Sequence, residues 1–314
     1  MRLEELLSGA KSVALSGHIR PDGDCVGSVM GIYQYVKKNM PQTEVTVFLE
    51  TPSSVFECIQ GIEAIDSEMD TKECFDVFIA LDCTSDRLGK AESIFKNAKT
   101  KINIDHHISN HGCGDINVLV PEASSTCEVV YELMNPEKLD VEISKTLYIG
   151  IIHDTGVFKY SNTSPKTLKI AADLIAYGFD FSKIIDETFY EKTYVQTLVC
   201  AKAVSESIRF MDGKCIFSVV DKAMMQFFGV GPKDLDGVIN QLRIVKGVEC
   251  AIFMYQTEDM EYKVSLRSNG MLDVSVIASF FGGGGHVRAA GCTMKGTPHD
   301  VINNLSAQIT LQLS

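Results

Sequence analysis

Two stretches decide the fold: DVFIALD at residues 76–82 and KINIDHH at 101–107. Each is a short, nearly continuous apolar run that ends in polar residues. A strand that reads apolar at almost every position is buried on both faces, which is the signature of a parallel sheet covered by helices. Working back toward the N-terminus, SVALSG (12–17) and EVTVFL (44–49) read as two further strands. Between them VGSVMGIYQYVKKN (26–39) reads as a helix, with Val29, Ile32, Tyr33 and Val36 on one face. Strands alternating with helices give an α/β domain, and ligands of such sheets bind beyond the carboxyl ends of the strands.

Working forward, residues 124–190 read as mainly helical, and KTYVQTLVCAKAVSESI (192–208) as a connecting helix. The pattern then changes. RFMDGKCIFSVVD (209–221) reads as a hairpin with Asp-Gly in its turn. Two strands, VECAIFMYQ (248–256) and YKVSLRS (262–268), a short helix, a glycine run and a final helix follow. The expected division is a parallel-sheet domain over 1–190, a connector over 191–208 and a smaller α+β domain over 209–314.

Composition narrows the class. Apolar residues make up 45% and charged residues 22% of 314, as expected of a globular chain. No apolar run reaches the ~18 residues of a membrane span, and the N-terminal stretch lacks a secretory pattern, so a cytoplasmic protein with no membrane partner is expected. The ten cysteines show neither CxxC nor finger spacing, so they read as reduced core residues. A net charge of −12 argues against long double-stranded DNA as a partner.

Polar residues follow the predicted strand ends. HIRPDGD (18–24) carries His18, Asp22 and Asp24; alone it reads equally as a metal-binding loop or a polar helix cap. Asp82 closes its strand, and alone reads first as a cap. Asp105-His106-His107 closes the next; adjacent side chains diverge, so one histidine can bind metal while the other faces substrate. Asp105 can hold an imidazole by its second nitrogen. Asp154, in HDTG (153–156), is either a ligand or a helix terminator, and His153 is not counted. Together His18, Asp22, Asp24, Asp82, His106 and Asp154 can hold two divalent ions if one carboxylate bridges, and Asp82 is the expected bridge. Two such ions suit in-line displacement at phosphorus. Nitrogen and oxygen donors favour manganese, with magnesium as the alternative. Later in the chain, Arg267 ends a strand and GGGGHVRAAG (282–291) places Gly283, Gly284 and Gly285 before His286 and Arg288. A glycine run alone is a flexible turn; beside arginine and histidine it suits a phosphate.

HIRPDGD, Asp82, DHH, HDTG and GGGGH, in this order, resemble the DHH phosphoesterase family in its form with the DHH-associated C-terminal domain. The resemblance covers nearly the whole chain. It implies the same six ligands, usually with manganese, and catalytic roles for His107, Asp82 and Asp105, with His107 near the scissile phosphate. It also implies that Arg267 and the GGGGH segment bind the substrate's other phosphate or terminal nucleotide. The similar two-domain bacterial enzymes imply RNA of a few nucleotides and 3′-phosphoadenosine 5′-phosphate as substrates, taken in an interdomain cleft, and homodimers are common among relatives. Alternatives are linear or cyclic di-AMP as substrate, or a catalytically silent nucleotide-binding module. Cys25 departs from the pattern, where a smaller residue is usual.

Overall fold

The computed structural model describes residues 2–313, which form two compact units that divide between Glu191 and Lys192. Six strands build the sheet of the first unit: β1 (Ser12–Ser16), β2 (Glu44–Phe48), β3 (Ile65–Asp66), β4 (Val77–Leu81), β5 (Thr100–Asp105) and β6 (Ile116–Leu119). Their order is β3-β2-β1-β4-β5-β6 and every pairing is parallel. β3 and β6 were not expected: one is two residues long, and the other (Ile-Asn-Val-Leu) is too short and mixed to stand out from a loop.

The sheet is covered on both faces. On one, Val13, Leu15, Ile79, Leu81, Ile102 and Ile104 pack with the helices Gly23–Asn39, Thr126–Leu133, Val141–Thr155 and Pro165–Ile175. On the other, Ala14, Phe48, Phe78 and Ala80 pack with Ile94 and Phe95 of the helix Glu92–Asn97. Helix Gly23–Asn39 lies so close to Val141–Thr155 that Gly27 and Gly31 face Gly150 and Leu147 with no room for a Cβ. Strand order reverses between β1 and β4, opening the crevice in which open α/β sheets bind ligands. His18 follows β1 and Asp82 follows β4.

The second unit has its own sheet: β7 (Ile208–Phe210), β8 (Cys215–Val220), β9 (Cys250–Glu258), β10 (Glu261–Ser268), β11 (Gly284–His286) and β12 (Ala289–Lys295), in the order β11-β12-β10-β9-β8-β7. Only β8 and β9 pair in parallel. Their connection runs through the helices Lys222–Phe228 and Val238–Arg243. One face buries Ile252, Val264, Leu266, Ala290 and Cys292 under the helices Val274–Phe280 and Pro298–Leu313. The other buries Ile216, Ala251 and Phe253 with Val199, Ala203, Val238 and Leu242. The helix Tyr194–Ser205, expected as a connector, thus contributes to a core of this unit.

The region after Phe281 differs from expectation. The glycine run becomes an edge strand, and Ala289–Lys295, for which no strand was expected, forms seven antiparallel pairs with β10. AAGCTMK has weak strand propensity; pairing with a strong neighbour decides its conformation. Among the described residues no helix is long and apolar enough to cross a membrane.

Candidate metal centre

Asp82 is the centre of the site. It leaves β4 in the left-handed region, at φ 60°, with its N–H bonded to the Ile104 carbonyl. Aspartate tolerates that conformation better than most residues, and strained backbone gathers at functional sites. Its carboxylate is buried, and the two oxygens face opposite ways. Oδ2 lies 3.5 Å from His18 Nε2, which is also 3.7 Å from Asp22 Oδ1. Oδ1 lies 3.7 Å from His106 Nε2, which is also 3.8 Å from Asp24 Oδ2 and 3.5 Å from Asp154 Oδ2. The six residues expected from sequence therefore meet as two donor sets that share one carboxylate.

These separations are too long for good hydrogen bonds. The two of 3.5 Å fall within, and the three of 3.7–3.8 Å just beyond, the roughly 3.0–3.6 Å between two donors that each lie ~2.0–2.2 Å from one ion. The charges give a second indication. Burial, together with Asp82 and Asp154, holds Asp24 well above the ordinary carboxylate range. Burial and the neighbouring Asp82 and Asp22 carry Asp154 up to about 6, against the opposing pull of His106. Burial opposes a charge on His18, but Asp22 and Asp82 outweigh it and lift the imidazole to about 10; Asp22, also partly desolvated, is held by His18 at about 2. Four carboxylates, of Asp22, Asp24, Asp82 and Asp154, thus crowd the two imidazoles of His18 and His106, a crowding that a divalent cation would relieve. The His/Asp donors can thus coordinate divalent ions in two distinct sets.

Local sequence explains how each side chain gets there. Asp22 is the N-cap of the helix Gly23–Asn39, accepting from the N–H of Asp24 and Cys25 at 3.1 Å each, so cap and candidate ligand are the same residue. Gly23 is required because a Cβ there would lie 2.3 Å from the His153 ring. His153 itself packs edge-on between Phe56 and Phe189. Asp24 sits in the first helical turn, and its carboxylate meets the N-terminus of the helix Thr126–Leu133, accepting from Thr126 N at 2.6 Å and Cys127 N at 2.9 Å. Asp154 lies in the last turn of the helix Val141–Thr155, which stops at left-handed Gly156, so candidate ligand and helix end coincide here too.

Asp105 is differently placed. Its Oδ1 accepts from the backbone N–H of His106 and His107, and from His107 Nδ1 at 2.8 Å; Oδ2 accepts from Asn110 Nδ2. Asn110 is in turn held by Asn103, which donates to the Ala80 and Cys83 carbonyls. The carboxylate thus orients His107, and its hydrogen bond raises that imidazole to about 9. His106 and His107 diverge as expected, with ring centroids 4.7 Å apart.

Sequence reading missed several contributors. Thr126 Oγ1 donates to Asp82 Oδ1 at 3.0 Å. Asn162 Nδ2 reaches Asp154 Oδ2 at 3.3 Å and the Ser124 carbonyl at 2.8 Å. Cys25 places a fully buried sulfur within ligand range of His18 and Asp82, but burial pushes that thiol far up and Gly17 packs directly against it. Of these, only the S-T dipeptide ahead of a helix carried a local signal, that of a cap.

In the second unit the register places His286 opposite Ala289, and Ala289 opposite Arg267. Directly paired residues share a face of the sheet. His286 and Arg267 therefore project from one face, roughly 10 Å apart across two strand spacings, with the Ala289 methyl between them. The next row on that face, Ser265, Gly291 and Gly284, is almost without side chains. The glycines are structural as well: Gly282 and Gly283 donate to Ser279 and Ala278 carbonyls, and a Cβ on Gly283 would meet Gly291 O at 2.2 Å. Gly284, Gly285, His286 and Arg288 are exposed.

Comparison with known proteins agrees with both units. Residues 12–151 match the DHH family, N-terminal domain, and residues 212–313 match the DHHA1 domain. A Thermus thermophilus protein named bifunctional oligoribonuclease and PAP phosphatase NrnA is 28% identical over 92% of this chain and 86% of its own. The Bacillus subtilis protein of the same name is 26% identical over 90% and 89%. The crystal structure of an exopolyphosphatase-related protein from Bacteroides fragilis matches with a TM-score of 0.88, covering 99% of this chain and 96% of that one; at 23% identity it speaks for the fold alone.

Proposed function

We propose, from the premise that the chain belongs to the DHH family and carries a DHHA1 domain, that this metal-dependent phosphoesterase hydrolyses RNA of a few nucleotides and 3′-phosphoadenosine 5′-phosphate. The observation that carries the reading is the Asp82 carboxylate, with one oxygen turned to each donor set. The names of the two relatives supply the substrate classes.

His18, Asp22 and Asp82 would hold one ion, and Asp24, Asp82, His106 and Asp154 the other, with manganese the metal that suits this donor chemistry best. When bound, such a pair polarises phosphoryl oxygens and makes hydroxide available near neutral pH. The protein's own groups do the rest. Asp105 orients His107 by accepting a hydrogen bond from its Nδ1–H and favours the protonated ring, whose Nε2–H is then free to donate to a phosphoryl oxygen or the leaving alcohol. Arg267 grips a second phosphate, with His286, Arg288 and the backbone of Gly283, Gly284 and Gly285 around it. Holding that remote phosphate orients the scissile one, which lowers the barrier by positioning.

The test is parallel incubation of manganese-loaded protein with 3′-phosphoadenosine 5′-phosphate, a ribodinucleotide, a ribotrinucleotide, cyclic di-AMP and pyrophosphate. Phosphate release from the first, or mononucleotides from the short RNAs, is the expected result. Turnover of cyclic di-AMP alone would replace the proposed substrates, and turnover of none by protein with bound metal would leave a silent nucleotide-binding module.

A further inference from the structure

We infer that Thr126 is a positioning residue of the two-ion centre, its hydroxyl setting the rotation of the Asp82 carboxylate so that each oxygen serves a different ion. The inference rests on the two-ion reading above. A carboxylate turns easily about its last torsion, which is broad and roughly two-fold. A quarter turn of Asp82 would take both oxygens away from His18 and His106 together. The left-handed backbone of Asp82, at φ 60°, leaves that torsion open.

Thr126 closes it. Its Oγ1 donates to Asp82 Oδ1 at 3.0 Å, and both residues are buried, Thr126 completely. An ionised carboxylate oxygen accepts more than one partner, so a hydroxyl on Oδ1 leaves a lone pair for an ion. The anchor is itself immobile. Thr126 is the first residue of its helix, behind the Ser125 cap, whose side chain accepts from Glu128 N at 3.1 Å. Its own N–H goes to Asp24 Oδ2 at 2.6 Å. One residue thereby ties the shared carboxylate to another carboxylate of the same donor set, and a hydrogen bond that orients a ligand in this way is typically worth 10–100-fold in metal affinity.

The experiment is manganese titration of metal-free protein by calorimetry, with electron paramagnetic resonance at each step, for wild type, Thr126→Val and Thr126→Ser. Wild type is expected to take up two ions and show the spectrum of an exchange-coupled pair. Thr126→Val, equal in shape but without the hydroxyl, is expected to bind one ion normally and the other ~10–100-fold more weakly, without the coupled spectrum. Thr126→Ser is expected to restore both. Wild-type affinities and spectrum in Thr126→Val would overturn the inference. If that variant does not fold, Thr126→Ala against Thr126→Ser decides, since both lack the methyl and only one keeps the hydroxyl; equal affinities overturn it. Wild-type protein that takes up fewer than two ions removes the two-ion reading itself, and this inference with it.

Discussion

The two units hold their polar residues in opposite ways. In the first, His18, Asp24, Asp82 and Asp105 are at most 5% exposed; Asp24 and Asp82 are tied to Thr126 of a neighbouring helix, and Asp105 to His107 beside it. In the second, His286 and Arg288 stand exposed on and beside an edge strand of glycines. Burying charge is costly unless it is paired, and a divalent ion tolerates little error in donor placement, so the first site has to be rigid before anything arrives. A phosphate or nucleotide end can be met by exposed side chains that settle around it, at some cost in ordering. The contrast predicts which unit governs turnover and which governs affinity.

The largest effect should come from Asp82→Ala, which removes the carboxylate common to both donor sets. Manganese uptake should collapse and turnover fall by more than the ~100–1,000-fold typical of losing one transition-state donor, while circular dichroism stays native. Turnover retained by protein free of contaminating phosphatase would break the comparison outright.

Asp105→Asn should reduce kcat ~10–100-fold, as loss of an orienting partner does. It should also bring the His107 pKa in metal-free protein down from about 9 toward the ordinary ~6.5, read by NMR of the imidazole. The sign is fixed by linkage: a raised histidine pKa stabilises the fold below its unfolded value, and that stabilisation is lost as pH rises through about 9. The substitution should flatten this part of the stability curve of the metal-free protein. An unmoved imidazole would mean that Asp105 does not govern His107.

In the second unit, Arg267→Ala should raise KM about 10–100-fold, the equivalent of ~1.5–3 kcal/mol for charged hydrogen bonds, with manganese affinity unchanged. A fall in kcat with constant KM would place Arg267 on the chemical step and erase the division of labour. Smallest is Gly283→Ala. The new methyl meets Gly291 O and the Cys292 backbone, and should cost ~1–3 kcal/mol by overpacking, seen as a lower Tm without loss of bound metal.

How much of this was legible in one dimension follows from where the information lies. His18, Asp22, Asp24, Asp82, Asp105, His106 and Asp154 could be read because each sits at the end of a strand or helix whose apolar pattern is local. The sheet's crossing order then brings those ends together. Which residues lie at strand ends is a property of nearest neighbours in the chain, and the sequence by itself determines it. Tertiary structure alone decided that the two oxygens of Asp82 part company, that Asp105 takes His107, that Thr126 and Asn162 hold carboxylates 44 and 8 residues away, and that Ala289–Lys295 is a strand. Those outcomes depend on angles and pairings set by elements remote in sequence, and a hydroxyl or a weak strand former carries no local mark of the partner it will meet.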